Sequence, residues 1–124
     1  MANLPPTLLQ MQGLPAEPAR LDDASLVIID IQEEYRSGKL PLEGVNEAAA
    51  AAKSILEIAR KNGLPIMHVL HKVSDEAPIF NPSLPSYAVM AEVAPRAGEA
   101  LEHIPSGSNR GDSQRSVDER VWRP

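Results

Sequence analysis

The run Leu26-Val27-Ile28-Ile29-Asp30-Ile31 decides the fold class of this chain. Its apolar residues do not alternate with polar ones, and such a run predicts a strand that is buried on both faces of a parallel sheet. A second apolar run, Ile66-Met67-His68-Val69-Leu70-His71, predicts another strand. Because a helical segment lies between them, the three elements form one βαβ unit with a right-handed crossover. The sequence therefore predicts an α/β fold built on a parallel sheet.

The segment between the two strands predicts a helix from Asn46 to Asn62. Asn46 is a suitable N-cap, and Gly63 suits the left-handed position after the C-cap. The apolar side chains recur at helical spacing and are expected to face the sheet: Ala48, Ala52, Ile55, Leu56 and Ala59. The charged side chains are expected to face water: Lys53, Glu57, Arg60 and Lys61.

The region after the second strand is rich in proline, which disfavours regular structure. Pro78, Pro82 and Pro85 predict an irregular loop from Lys72 to Pro85, and a long loop in an α/β domain often contributes to a site. Residues 87–93 predict a short helix that ends before the next proline.

Composition excludes several classes of function. The 124 residues include 12 basic and 17 acidic side chains, a net charge of −5, so no basic surface is expected for nucleic acid. No apolar stretch approaches the roughly 20 residues that cross a bilayer, and no signal-peptide pattern is present, so we expect a cytoplasmic protein without membrane contact. The chain has no cysteine, which excludes disulfides and a thiol nucleophile of its own.

The chain divides into three parts by composition. Residues 1–20 carry four prolines and are expected to form an arm, and residues 21–104 are expected to form the domain. Residues 105–124 hold four arginines and three acidic side chains, with little apolar content, and predict an irregular tail. The abrupt change near Ile104 has two explanations, a frameshift in the coding sequence or a natural, divergent C-terminus.

Asp30 is the first candidate functional residue, because ligands of open parallel sheets bind beyond the carboxyl ends of the strands. A carboxylate there can act as a general base, or it can cap the next turn or pair with Arg36. Gln32 can hold a substrate or fix the loop. His71 ends the second strand at the same edge as Asp30 and is expected to line the site, whereas His68 is expected to pack inside the fold.

No metal or cofactor is expected. His68 and His71 are three residues apart on a strand, so their side chains point to opposite faces and cannot share one metal ion. No third residue converges with either of them. A small molecule is therefore the expected ligand, and self-association of the chain stays open.

The sequence resembles the isochorismatase-like cysteine hydrolases. The resemblance rests on the first strand with its Asp30-Ile31-Gln32 motif, the following helix, the strand ending in His71, and the segment Ala94-Pro95-Arg96-Ala97-Gly98-Glu99. It covers about residues 4–102. It implies a three-layer α/β/α, Rossmann-like fold, here truncated after about the third strand, and a small-molecule substrate. Asp30 is the implied catalytic residue, and the expected substrate contacts are Gln32, Tyr35, His71 and Phe80.

The resemblance also implies a set of three catalytic residues, and this chain contains only one of them. In the family an Asp deprotonates a Cys thiol, a Lys stabilises the developing charge, and the thiolate attacks an amide or related carbon. The Lys is expected shortly after Glu99, yet no lysine follows Lys72, and no cysteine is present. We therefore expect an inactive member of the family, a candidate pseudoenzyme. The alternative is a non-catalytic binding module or oligomerisation subunit, and a phosphorylated receiver-like domain is a third, weaker interpretation.

Overall fold

The computed structural model describes residues 4–105, and its centre is a parallel sheet of three strands. Strand β1 spans Leu26–Ile29, β2 spans Ile66–Lys72 and β3 spans Ala100–Pro105, in the order β1-β2-β3. Leu26 lies opposite Ile66, and Met67 lies opposite Ala100. The prediction of an α/β fold with a parallel sheet is confirmed.

Helix α1 is a single short turn in the N-terminal arm. It spans Leu8–Met11 and is closed by a capping box, in which Thr7 and Gln10 each bond to the backbone of the other. Every described residue from 4 to 20 is exposed, so this arm contributes nothing to the core. The predicted tail lies outside the described residues, apart from Pro105 at the end of β3. Within the described part of the chain, no helix is long and apolar enough to cross a bilayer.

Helix α2 is the crossover between β1 and β2 and spans Val45–Lys61. It follows Gly44, which adopts φ +73°, a left-handed conformation that costs glycine little. The prediction that Asn46 caps the helix is wrong, because Gly44 is the N-cap and Asn46 lies inside the first turn. The C-terminal prediction is confirmed, since Asn62 is the C-cap and Gly63 has φ +67°.

One face of α2 packs on the sheet. Leu56 and Ala59 are buried in a cluster with Ile28 of β1 and Ile66 of β2. Ala52 lies at the margin of this cluster, as predicted. Three of the predicted positions are corrected by the structure: Ala48 and Ile55 are exposed, and Arg60 is largely buried. Ala49 is buried in place of Ala48, so the buried face is rotated from the one that the spacing indicated.

Strand β1 is covered on one face, which corrects the prediction of burial on both. Ile28 is buried under α2, whereas the alternate residues Val27 and Ile29 are 47% and 59% exposed. Successive side chains of a strand point to opposite faces, so the exposed pair lies on the side away from α2. The arm at residues 4–20 is itself exposed, so within residues 4–105 it does not cover that side.

The region after β2 is irregular, as predicted, and contains two 3₁₀ turns where a short helix was expected. The turns span Pro85–Tyr87 and Ala91–Val93. Between them Val89 pairs with Gln32 in an isolated antiparallel bridge, and extended backbone at that point interrupts a continuous helix. Val93 is fully buried in the cluster beneath α2.

A nearly buried ionic network joins α2 to the start of β3. The carboxylate of Glu99 accepts two hydrogen bonds of 2.8 Å from Arg60 and lies 2.9 Å from His68 Nε2. It also accepts from the backbone N–H of Arg96 at 2.9 Å. The guanidinium of Arg60 donates to the Ala94 carbonyl, which ties the loop before β3 to the helix. His68 is 1% exposed, which confirms that it packs inside the fold.

Glu99 makes the stability of the chain depend on pH. The hydrogen bonds from Arg60, supported by those from Arg96 and His68, lower the pKa of Glu99 from 4.5 to about 2. The ionised group therefore stabilises the fold above pH 4.5, and this contribution is lost as the pH falls toward 2. We predict that Glu99→Gln removes about 2–3 kcal/mol of unfolding free energy at neutral pH. Urea denaturation between pH 2 and pH 7 measures both effects.

Glu57→Gln is the control, because Glu57 pairs with Lys53 at 3.9 Å in an exposed setting. It is expected to change the unfolding free energy by less than about 0.5 kcal/mol. An unchanged acid profile in the Glu99 variant would contradict the assignment.

Candidate active site

Asp30 lies directly after β1, at the carboxyl edge of the sheet. Its backbone has φ +59°, and its N–H donates to the Val69 carbonyl at 2.9 Å. Its own carbonyl accepts from the Gln32 N–H at 2.9 Å. The left-handed region is disfavoured for residues with a Cβ, and Asp is among those that tolerate it best. The chain therefore turns sharply at Asp30.

Gln32 ties this turn to the rest of the sheet edge. The side chain is fully buried, and its Nε2 donates to the carbonyls of His71 at 3.2 Å and Tyr87 at 3.0 Å. Its Oε1 accepts from the His71 N–H at 2.8 Å. Both amide hydrogens are thus engaged by the backbone, which supports the loop-fixing role. The contact of Gln32 with a substrate stays a prediction.

Three of the expected substrate contacts form one aromatic cluster. The ring of Phe80 stacks on His71, with centroids 4.3 Å apart, and meets the edge of Tyr35 at 5.4 Å. Phe80 is 3% exposed and has φ +46°. Within residues 4–105, Phe80 and Asp30 are the non-glycine residues with positive φ. Its carbonyl accepts from the Val73 N–H at 2.9 Å, which holds the loop against the end of β2.

The carboxylates of the first loop lie near this cluster. Burial raises the pKa of Tyr35, and the negative charges of Asp30 and Glu34 raise it further. Glu34 is fully buried, and neither of its carboxylate oxygens has a hydrogen-bond partner among residues 4–105. A Cβ at Gly38 would lie 2.6 Å from the Glu34 Cα, so the turn above Glu34 requires glycine. The sequence analysis missed Glu34, because an acidic pair after a strand is typical of a solvated surface.

Arg36 does not pair with Asp30, so that interpretation is wrong. Its guanidinium bonds to Glu33 and reaches Glu92 at 2.7 Å. These hydrogen bonds lower the pKa of both glutamates. Arg36 therefore clamps the loop after β1 to the turn at Ala91–Val93.

At the end of β3, where the resemblance expects a lysine, the structure has His103. Its Nδ1 lies 2.5 Å from the Tyr87 hydroxyl, and the two rings stack with centroids 6.1 Å apart. The sequence analysis singled out neither residue for the site. Across the described ranges, no cluster of three or more His, Asp or Glu side chains could hold a metal ion.

Comparisons with known proteins agree on one family. No protein-family model matches the chain. The secreted isochorismatase effector Isc1 of Verticillium dahliae is 36% identical over 91 residues, which are 73% of this chain and 48% of the effector. An isochorismatase from Pseudomonas putida is 38% identical with a TM-score of 0.72, over 82% of this chain and 52% of that one.

A more distant structure shows the same fold. N-carbamoylsarcosine amidase from Thermoplasma acidophilum is 23% identical with a TM-score of 0.55, over 63% of this chain and 50% of the amidase.

The parallel sheet, with a carboxylate at the end of its first strand, defines the class as an α/β protein with a hydrolase fold. Within that class, the chain belongs to the isochorismatase-like cysteine hydrolase superfamily and corresponds to the N-terminal part of its fold. It spans about half the length of the relatives that it matches.

The three hydrogen bonds of the Gln32 side chain make the stability of this edge sensitive to substitution of Gln32. We predict that Gln32→Glu lowers the unfolding free energy at pH 7 by about 2–4 kcal/mol, because two buried carbonyls lose their donors and face a carboxylate. The loss should shrink as the pH falls, since a protonated Glu regains one donor. Urea denaturation at pH 7 and pH 4.5 tests this.

Gln12→Glu in the exposed arm is the matched control and is expected to be neutral. A Gln32→Glu protein as stable as the parent at pH 7 would contradict the geometry.

Proposed function

We propose that this chain carries the general-base half of a small-molecule hydrolase site, with Asp30 as the base, and has no turnover on its own. The observation that supports the proposal is the backbone of Asp30, held at φ +59° by its bond to Val69 at the carboxyl edge of a parallel sheet. That edge is where ligands of such sheets bind.

The substrate would lie against the aromatic cluster. Tyr35, His71 and Phe80 form a wall beside Asp30, and the raised pKa of Tyr35 keeps its phenol neutral at physiological pH. A wall of this kind suits a small planar group such as an amide or an unsaturated ring. Gln32 fixes the wall through the His71 backbone, and its substrate contact belongs to the same proposal.

The chemistry that the resemblance implies needs a second set of groups. Asp30 would take the proton of a thiol, and the thiolate would attack the substrate carbon. The bond to the leaving group would then break, and the leaving group would depart with the proton that Asp30 had taken. Water would then release the acyl group from sulfur. These 124 residues contain no cysteine, and no lysine follows Lys72. Both groups would have to come from outside this sequence.

A second proposal is a non-catalytic binding module or oligomerisation subunit. It is favoured by the fixed geometry of the aromatic cluster, which needs neither the thiol nor the lysine. A discrete, monodisperse oligomer in light scattering, together with saturable binding of an amide ligand, would support it. Polydisperse aggregate without binding would count against it.

The organisation and location of the chain belong to the proposal as well. We propose an arm at residues 1–20, the hydrolase half at 21–104, and a tail at 105–124. We also propose a cytoplasmic location, which differs from that of the secreted Verticillium relative. Fractionation of cells that express the full chain tests this location.

The first arm of the activity test uses the chain alone. Purified protein is incubated with isochorismate and with N-carbamoylsarcosine, and we expect no product above the buffer control. Turnover that disappears in Asp30→Asn would contradict the absence of activity.

The second arm tests Asp30 in a complete fold. Residues 4–99 replace the matched part of the Pseudomonas putida isochorismatase, so that the strand end where the resemblance expects the lysine, and the later part where it expects the cysteine, come from that enzyme. We expect the chimera to hydrolyse the substrate of the isochorismatase. Asp30→Asn should lower kcat by about 100-fold or more, as for loss of a general base. Asn tolerates the left-handed backbone, so the fold is kept. Asp23→Asn, in an exposed turn, is the matched control, and a fully active Asp30→Asn chimera would contradict the assignment.

A further inference from the structure

Strand β1 has one unpaired backbone edge, here called the open edge. Its neighbour in the sheet is β2, and within residues 4–105 no strand lies on its other side. The N–H groups of Leu26 and Asp30 donate to carbonyls on the β2 side. Alternate residues of a parallel strand bond to the same neighbour, so the N–H and C=O groups of Val27 and Ile29 point to the open edge.

The open edge lacks the features that protect a strand from further pairing. At the opposite edge of the sheet, β3 contains Glu102 and Pro105, and a charged side chain or a proline discourages the addition of a strand. Strand β1 is the sequence Leu26-Val27-Ile28-Ile29, which is apolar throughout and has a high strand propensity. The open edge of β1 is therefore the edge that suits another strand.

One side of helix α2, here called the α2 flank, continues the open edge above the sheet. Arg60 lies on the side of the helix that faces β3, because it bonds to Glu99, the residue before β3. At 3.6 residues per turn, the side opposite to Arg60 carries uncharged residues and lies above the open edge: Ala48, Ala51, Ile55, Ile58 and Asn62. Ile55 and Ile58 are 53% and 50% exposed. An apolar surface of this kind beside an unpaired strand indicates a site of association.

We propose that the open edge and the α2 flank bind a second copy of this chain, through antiparallel pairing of the two β1 strands about a twofold axis at Ile28. Val27 of one copy then lies opposite Ile29 of the other, and these two residues exchange both of their N–H···O=C hydrogen bonds. The twofold axis repeats the pair, so the outward backbone groups of Val27 and Ile29 find partners in both copies. The surface is complementary to itself, which is the requirement for a twofold dimer.

The same arrangement brings the two copies of α2 to packing distance. Ile28 of β1 and Ile66 of β2 both lie in the cluster under α2, so the helix lies over this pair of strands. With strands about 4.8 Å apart, the two helix axes lie roughly 10 Å apart across the twofold axis, and packed helices are about 8–10 Å apart. Because the α2 flank carries no charge, no like charges meet there.

The area of the interface sets the strength of the dimer. The α2 flank is about 20 Å long and 10 Å wide, and the open edge adds four residues of about 3.3 Å each, so each copy buries on the order of 300–400 Å². A stable interface buries about 800 Å² on each partner. We therefore expect a dimer that dissociates in the micromolar range.

The dimer is independent of the chemistry proposed for Asp30. Antiparallel strands have their carboxyl ends on opposite sides, so the two candidate active sites lie at opposite edges of the shared sheet. The interface rests instead on the second proposal above, an oligomerisation subunit, and names the surface that such a subunit uses.

Sedimentation velocity of the full chain, from about 1 to 200 µM, tests the interface. Val27→Pro removes an outward N–H group, a change that an edge position tolerates, and it should raise the dissociation constant about 10-fold or more. Ile55→Lys on the α2 flank should do the same. Leu101→Lys is the matched control, because Leu101 is 45% exposed on β3, and it should leave the dimer unchanged.

Introduced cysteines test the register, because the chain contains no cysteine of its own. In a hydrogen-bonded antiparallel pair the Cα atoms are about 5.5 Å apart, which a disulfide can span. A mixture of the Val27→Cys and Ile29→Cys proteins should therefore form a disulfide-linked dimer on mild oxidation, at several times the yield of either protein alone.

Four results would overturn the proposal. A chain that stays monomeric up to 200 µM has no such interface, and this result also counts against the oligomerisation subunit. Polydisperse aggregate shows non-specific association. A discrete dimer that survives Ile55→Lys uses another surface, and this variant of an exposed residue decides the question even where Val27→Pro does not fold. A dimer without the disulfide between positions 27 and 29 contradicts the register, while the oligomerisation subunit itself still stands.

Discussion

The burial of Leu56 and Ala59 against Ile28 and Ile66 is the interaction on which the rest of the structure depends. It holds the crossover helix on the sheet, and this crossover lets β1 and β2 run parallel as neighbours. Parallel strands bring their carboxyl ends to one edge. The N–H of Asp30 reaches the Val69 carbonyl for that reason, and Gln32 reaches the His71 backbone by the same arrangement.

The sequence predicts the strands and the helix of this βαβ unit well, and it predicts less well which residues pack against them. Unbroken apolar runs identify β1 and β2, and Gly63 identifies the end of the helix, because these signals depend on local geometry. The exposure of Val27 and Ile29 could not be predicted, since a run of apolar residues shows that a strand can be buried and not what covers it. The role of Arg60 was missed for a related reason: its partner Glu99 lies far along the chain.

In the candidate site, too, some features follow from the sequence pattern and others do not. The position of Asp30 at a strand end follows from the pattern, and so does the place of His71 at the same edge. The stacking of Phe80 on His71 does not, because it depends on the loop after β2 turning back at a residue with φ +46°. Glu34 was missed because burial of a charged side chain has no signature in a single sequence. Both of these features depend on how the loops fold back and pack, which the apolar pattern of a strand or helix does not show.

Backbone strain gives the strongest reason to regard this edge as functional. Asp30 and Phe80 are the non-glycine residues with positive φ in the described chain, and both belong to the candidate site. Such conformations cost on the order of 1 kcal/mol or more and persist only where the surroundings enforce them. Here the bonds of Gln32 and the contact between Val73 and Phe80 enforce them. The turn that carries Asp30, the proposed base, is therefore built into the framework of β1 and β2.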